Sequence, residues 1–448
     1  MDLSSSELGI LNDKIRQQYD FLPYPESDIE YSPKDKLPSL FIHSLAIPYY
    51  LRYQKVIDTK GKIILDAGCG SGLQSLSLAL ANPGAKIVGV DISSKSIDLA
   101  RQRLAHHGIK NVEFHTLSLD DIESLGYQYD YINCDEVLYL LPNPKETLKL
   151  FEKILKPGGI IRTNLHSHYQ RNGFFRSQEA FRQLGLFDED STDTAIEVVQ
   201  ETLENLKDAV KLKELWNGFE KSAKPTDKHK QVWILVNYLL QGDKGYTIEE
   251  LFDFLDYADL DFLSMVNWRQ WDLGSLFKDP DELPMFWQWG LEEATEQQKL
   301  QLFELFHPVH RLLDFWAVKK DNTIIPDTPL SWSDEQWLSA RVYLNPVLAT
   351  DKVKNDLLEI VKNRGHFEIS SYIPLPTLVP IMVDDMMGAC LLPLWESAQS
   401  FGALVERWLM IQPRNPETLE LKTNREAMGE IQELLSKLET FTYVMLEL

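Results

Sequence analysis

The stretch Ile63-Ile64-Leu65-Asp66-Ala67-Gly68-Cys69-Gly70-Ser71-Gly72 constrains the fold of this chain more than any other. A short apolar run ends in an acid and then breaks into three glycines at alternate positions. This pattern reads as a buried parallel strand, a tight turn and the start of a helix. Gly68, Gly70 and Gly72 remove side chains where a backbone must approach closely, and the expected neighbour is a ligand. The next apolar run, Lys86 to Val90, ends in Asp91, 19 residues past Gly72. An acid there suits a second strand whose carboxylate accepts hydrogen bonds from a ribose diol.

A dinucleotide fingerprint would need its third glycine at position 73, where Leu73 stands. The D-x-G-x-G-x-G pattern instead resembles the first motif of class I S-adenosylmethionine-dependent methyltransferases. The resemblance implies that Gly68, Cys69 and Gly70 surround the methionine end of S-adenosylmethionine, and that Asp66 orients the turn or holds the cofactor's amino group through water. Asp91, with Ile92 beside it, would hold the ribose. The family usually places an acid after strand three for the adenine amino group. Here Ser118 takes that position, with the backbone of Leu119 facing a ring nitrogen and Asp120 as a substitute. After strand four, Asp135 would offer its backbone carbonyl to the methionine amino group. Tyr139 stands where many relatives have an acceptor-facing histidine; helix packing is its other reading. The Tyr19-Asp20-Phe21-Leu22-Pro23-Tyr24-Pro25 element is similar to one that precedes the fold in larger bacterial methyltransferases with a regulatory domain, among them protein-lysine methyltransferases. It implies a lid in which Tyr19 and Tyr24 shield the sulfonium, helped by cation–π attraction.

From Ile63 the apolar periodicity alternates between strand and helix. Strands are expected at Val112–His115, Tyr129–Cys134 and Gly159–Leu165, and helices at Leu73–Ala81, Ser96–Gly108 and Lys145–Leu155. Alternation of this kind implies an α/β fold, a Rossmann-like parallel sheet with helices on both faces. A helical insertion is expected over about 175–245. A capping box from Thr247 to Glu250 opens a further helix, and late strands are expected at Phe262–Val266 and Leu312–Val318. Residues 1–60 read as a lid or strap, 61–320 as the S-adenosylmethionine-binding domain, Asp321–Pro329 as a linker, and 330–448 as a mainly α-helical accessory domain. Seven tryptophans between 268 and 337 would either line an acceptor pocket or pack a junction.

Methyl transfer from a sulfonium needs alignment and exclusion of water, and a base only where the acceptor must lose a proton. The end of strand five supplies candidates. His166 and His168 are two residues apart and share a face if extended. They would form a metal pair, act as base or orienting group, or serve structure; no third metal ligand is apparent and no metal is expected. Arg162, Arg171 and Arg176 would make the neighbourhood basic and suit a carboxylate-bearing acceptor. The expected catalytic set is Tyr139, His166, His168 and Arg171. The expected reaction is methyl transfer to oxygen or nitrogen of a peptide or small-molecule acceptor. The alternatives are a protein-lysine N-methyltransferase and a non-catalytic, cofactor-binding scaffold.

The chain of 448 residues carries a net charge of −23. Residues 1–186 hold 21 Lys and Arg against 22 Asp and Glu, so the acidic excess lies beyond the glycine-motif region. Such a surface repels a phosphate backbone, and nucleic acid is not an expected partner. The first residues lack the basic and apolar blocks of a signal peptide. Three scattered cysteines form no disulfide frame, and a cytoplasmic location is expected. Oligomeric state is left open by the sequence.

Overall fold

The computed structural model describes residues 5–188, 191–223, 225–321 and 327–448. Its central sheet contains β1 (Ile63–Ala67), β2 (Lys86–Asp91), β3 (Val112–Thr116), β4 (Tyr129–Cys134), β5 (Leu155–Ser167), β6 (Gly245–Tyr246), β7 (Leu260–Met265) and β8 (Leu312–Lys319). The strands lie in the order β3-β2-β1-β4-β5-β8-β7, and β6 pairs with the end of β5. Pairing is parallel from β3 to β5, whereas β8 runs antiparallel to both β5 and β7. The order reverses between β1 and β4, which opens a crevice at the carboxyl ends of the strands.

Ten helices precede β6 or flank it. They are α1 (Ser5–Phe21), α2 (Leu37–His43), α3 (Ala46–Tyr53), α4 (Leu73–Ala81), α5 (Ser94–His106), α6 (Pro144–Ile154), α7 (Asn172–Gln183), α8 (Thr192–Asn205), α9 (Lys211–Ala223) and α10 (Asp227–Asn237). The last four form the helical insertion. It has an apolar core of its own, built around Phe174, Phe181, Val199, Trp216, Ile234 and Tyr238. The expected capping box is present: Thr247 and Glu250 bond reciprocally at the start of α11 (Ile248–Ala258). Two more helices, α12 (Met285–Glu293) and α13 (Glu296–Phe306), lie between β7 and β8.

Side chains alternate across the strands, as a sheet buried on both faces requires. Ile64, Ile87, Tyr131 and Ile160 pack into one layer, and Leu65, Val88, Ile132 and Ile161 into the other. The second layer is closed by α6, α11 and α13. The buried Thr147, Leu148, Phe151 and Ile154 of α6 recur every three or four residues, which gives that helix one apolar face.

The first layer runs without a break into the carboxyl-terminal region, through α2, α3, Trp332, Val342, Trp408 and Met445. That region contains α14 (Asp334–Ser339), α15 (Asp351–Asn363), α16 (Asp385–Leu391), α17 (Phe401–Ile411) and α18 (Asn424–Glu439). It is mainly helical, as expected, with a small three-stranded and a two-stranded antiparallel sheet that the sequence reading lacked. Tyr50 of α3 ties the two regions together. Its hydroxyl lies 2.9 Å from Glu439 Oε1 and accepts from the Leu446 amide at 3.0 Å. The proposed linker Asp321–Pro329 lies largely outside the described residues.

Candidate functional site

Two adjoining cavities open at the carboxyl ends of the central strands. The first, of about 260 Å³, is bounded by the turn after β1, the ends of β2 and β3, the segment after β4, and α1. Tyr19, Tyr24, Gly68, Cys69, Gly70, Asp91, Ile92, Ser118, Leu119 and Asp135 all line it. Asp66 does not. Its carboxylate is buried beneath the turn and accepts from Ser75 Oγ at 2.6 Å and Asn133 Nδ2 at 3.0 Å. It ties β1 to α4 and β4 from outside the wall, which fits the reading that it orients the turn and corrects its expected place among the residues around the cofactor.

Asp91 is held by two backbone amides, Gly70 N at 2.9 Å and Ser93 N at 2.8 Å, one on each carboxylate oxygen. Burial raises its pKa to about 6, against the pull of those two bonds. Each oxygen keeps a free lone-pair direction for a further donor. Ser118 Oγ is engaged locally by the Asp120 amide at 3.3 Å, and Asp120 itself reaches the wall.

Each glycine makes room for another part of the protein. A β-carbon on Gly68 would collide with Val137, one on Gly70 with the Tyr24 carbonyl, and one on Gly72 with Ala100 of α5. The Tyr19–Pro25 element therefore docks directly on the turn: Ser71 N donates to Tyr24 O at 3.0 Å, and Ser71 Oγ to Pro25 O at 2.7 Å. Gly68 and Gly70 also line the first cavity, whereas Gly72 packs on α5 and does not, a correction to its expected ligand neighbour. Upstream, Asn12, Ile15 and Tyr19 of α1 roof the first cavity. The helix is anchored to the insertion, where Gln18 Nε2 donates to Leu235 O and Gln18 Oε1 accepts from Gln241 N.

The second cavity, about 940 Å³, shares Tyr19, Tyr24, Pro25 and Glu136 with the first and extends into the helical insertion. Tyr139, His166 and Arg171 line it. His168 lines neither cavity: β5 ends at Ser167, so the extended chain that would have put both histidines on one face stops between them. The His168 ring is exposed and lies 6.4 Å from that of Phe175. No metal-type cluster of His, Cys, Asp and Glu occurs among the described residues.

His166 is the most constrained side chain of the set. Its Nδ1 lies 2.6 Å from Asp243 Oδ1, and its Nε2 lies 3.1 Å from Arg311 Nη1. An arginine only donates, so Nε2 carries the lone pair and Nδ1 the proton. Burial, joined by Arg171 and Arg311, lowers the imidazole pKa to about 4 despite Asp243. The Asp243 carboxylate has no exposure to solvent. Burial opposes its charge, but His166, Arg171 and Gln178 outweigh that and keep its pKa below the ordinary value. The Tyr139 ring stacks on His166 at 3.6 Å between centroids, and its hydroxyl donates to Glu136 Oε2 at 3.1 Å.

Glu136 and Arg311 were absent from the sequence reading. Glu136 stands at the junction of the cavities with φ +59°, a left-handed conformation held by a bond from its amide to Asn164 Oδ1. Arg311 grips both its carboxylate oxygens. No local motif could join residues 175 positions apart.

The expected basic patch is not there. Arg162 lies buried between Asp314 (2.7 Å) and Asp135 (3.2 Å), Arg171 pairs with Asp243 at 3.2 Å, and Arg176 is exposed away from both walls. Asp135 also accepts from Asn164 at 2.7 Å; burial opposes its ionisation, yet Arg162, His43 and Asn164 hold its pKa far below the ordinary range. Most of the tryptophans pack cores: Trp271, Trp316, Trp332 and Trp337 are buried, Trp268 and Trp287 partly so, Trp289 is exposed, and none of the seven lines either cavity.

Residues 58–248 match the family model described as a methyltransferase domain. Those residues form a methyltransferase domain with the class I fold. The domain is similar to a ubiquinone biosynthesis O-methyltransferase of Coxiella burnetii, 34% identical over 130 residues, 29% of this chain and 53% of that enzyme. An uncharacterised protein of Synechococcus is 27% identical over 64% of this chain and 66% of its own length. The matches thus span about half to two thirds of the curated relatives. The fold of the methyltransferase domain and its extensions is similar to that of PKMT2 from Rickettsia typhi, solved with AdoHcy, at TM-score 0.57 and 16% identity, covering 95% of this chain and 77% of that one. No helix among the described residues is long and apolar enough to cross a membrane.

Proposed function

We propose that the protein transfers a methyl group from S-adenosylmethionine to an oxygen or nitrogen atom of a peptide or small-molecule acceptor. The observation that carries this reading is the meeting of two cavities at Tyr19, Tyr24, Pro25 and Glu136. One cavity is lined by residues that the resemblance implies for the cofactor, and the other holds a paired imidazole. The O-methyltransferase relatives support transfer to oxygen.

S-adenosylmethionine, when bound, supplies a methyl group already activated by the sulfonium charge. The residues do the rest. Asp91 holds the ribose hydroxyls. Ser118, Leu119 and Asp120 bound the adenine end, and the loop from Gly68 to Gly70 with the Asp135 backbone bounds the methionine end. Tyr19 and Tyr24 close the junction against water, and their ring faces favour a nearby positive charge. Burial raises the pKa of both phenols, that of Tyr24 to about 12, so they stay neutral. His166 Nε2 takes the proton of an acceptor hydroxyl once Arg311 rests on Glu136 alone, while Asp243 keeps the imidazole in the required tautomer.

The test is incubation of the full-length protein with methyl-labelled S-adenosylmethionine and acceptor pools. Label in a product, lost in His166→Asn, supports the reading. Binding without turnover across broad pools would favour a scaffold, and no binding would remove the reading altogether.

A further inference from the structure

The strap from Leu22 to Ser32 carries Tyr24 and Pro25 into the wall that both cavities share, and Glu26, Ser27 and Asp28 into the second cavity. It forms neither helix nor strand. No strand ladder satisfies its main-chain carbonyls, so side chains from other elements have to do so. The glycine turn supplies Ser71, which bonds to Tyr24 O and Pro25 O. The next three residues but one depend on α5.

Arg103 of α5 is 1% exposed. Its guanidinium donates through all three nitrogens to main-chain oxygens: Nε to Ser71 O at 3.0 Å, Nη1 to Asp28 O at 2.7 Å and Nη2 to Ser27 O at 2.9 Å. One planar fork thus joins the turn to the strap. Burying a guanidinium is costly unless its donors are used, and an apolar side chain would fill the same helix position more cheaply if packing were its whole role. The rest of the helix fits the arrangement. Ala100, Arg103 and His107 recur at three and four residues and share a face. Ala100 lies against Gly72 of the turn, and His107 Nε2 donates to Ile29 O at 3.0 Å. At the opposite end Ser93 N donates to Asp91, and Ser93 Oγ donates to Asp20 Oδ1 at 2.6 Å.

We infer that Arg103 is a positioning residue for methyl transfer: it locks the strap onto the glycine turn and so holds Tyr24 and Pro25 where the two cavities meet. Arg103 lines neither cavity. It acts through Ser71 on one side and through the strap backbone on the other. The inference rests on the reading of the first cavity as the cofactor site and adds to that site a residue outside its wall.

The experiment is calorimetry of the full-length protein with S-adenosylhomocysteine, paired with hydrogen exchange of residues 22–32 in the ligand-free protein and with a thermal melt. Arg103→Gln is expected to weaken S-adenosylhomocysteine by about tenfold and to speed exchange of the strap by about as much, while β1 exchanges as in the parent. Arg103→Lys keeps the charge and loses the fork, and is expected to fall between, at about threefold. Tyr50→Phe loosens the fold at a residue that lines neither cavity and is expected to leave the affinity unchanged. Affinity within about twofold of the parent in a folded Arg103→Gln, unaltered strap exchange, or an equal loss of affinity in Tyr50→Phe would each overturn the inference. Should Arg103→Gln not fold, Arg103→Lys decides, and parental affinity in that variant would overturn the inference. A parent protein that does not bind S-adenosylhomocysteine would overturn the cofactor reading, and this inference with it; a parent that binds beside an Arg103→Gln that binds equally well would overturn this inference alone.

Discussion

The carbonyl oxygen of Tyr24 occupies the space that a β-carbon on Gly70 would need. The same carbonyl accepts the Ser71 amide at 3.0 Å. The aromatic strap and the glycine turn are thus one surface, and the shape of the first cavity depends on both.

Gly70→Val is expected to break that contact. Gly70 has φ +50°, where a branched side chain adds about 1–2 kcal/mol of backbone strain to the clash. S-adenosylhomocysteine affinity should fall by about tenfold or more while unfolding stays cooperative. Calorimetry paired with a thermal melt checks this; unaltered affinity would show that the strap is not part of the grip.

Asp91 gives the cofactor site a pH dependence. Its pKa in the ligand-free fold is raised to about 6, so protons compete with the ribose below that value. Affinity should be flat above pH 7 and weaken by about tenfold per unit well below pH 6. Asp91→Ala should cost about 1–3 kcal/mol of binding at pH 7 and flatten the profile. The sign for stability is opposite. A raised carboxyl pKa means that ionised Asp91 opposes folding, so this group should take stability from the ligand-free protein as pH rises from about 4 to 6, a slope that Asp91→Ala removes. Equilibrium unfolding at those two pH values measures it.

Much of this was readable in the chain. The apolar runs at β1, β2, β4 and β8, the capping box at Thr247 and the spacing from Gly72 to Asp91 are local signals, because strand and helix periodicity and cap chemistry act over a few residues. Ten of the eleven cofactor residues implied by the resemblance to class I methyltransferases line the first cavity; they came from matched motifs, not from periodicity. The errors were non-local. Arg171 looked like free charge because its partner Asp243 lies 72 residues away. Glu136 and Arg311 meet only because β8 returns antiparallel beside β5 and Arg311 immediately precedes it. Gly72 was read for a ligand and packs on α5 instead, because nothing local tells a nearby helix from a nearby cofactor. The small carboxyl-terminal sheets use strands of two to four residues, too short for alternation to show.

His166 should be observed as a neutral imidazole with its proton on Nδ1 down to about pH 4, by nitrogen NMR. A depressed histidine pKa means that the unfolded chain binds its proton first, so this group adds stability as pH rises from 4 to 6.5. Arg311→Gln removes the neighbouring cation and should raise that pKa. His166→Asn should lower kcat by about 100-fold or more, the usual contribution of a general base, without weakening the cofactor. An unchanged kcat would remove His166 from the chemistry.

Tyr50→Phe tests the union of the two regions. The hydroxyl bridges α3 to Glu439 and Leu446, and its loss should cost about 1–3 kcal/mol. With one apolar layer running through both regions, denaturant unfolding should remain a single transition in parent and variant. Two separated transitions in the parent would show that the carboxyl-terminal region stands alone.

The account rests on the first cavity gripping a sulfonium donor, and titration calorimetry of the full-length protein with S-adenosylhomocysteine tests that most directly. Saturable one-to-one binding, weakened about fivefold or more by Asp91→Ala, is the predicted result. Absence of binding, or binding indifferent to Asp91, would contradict it.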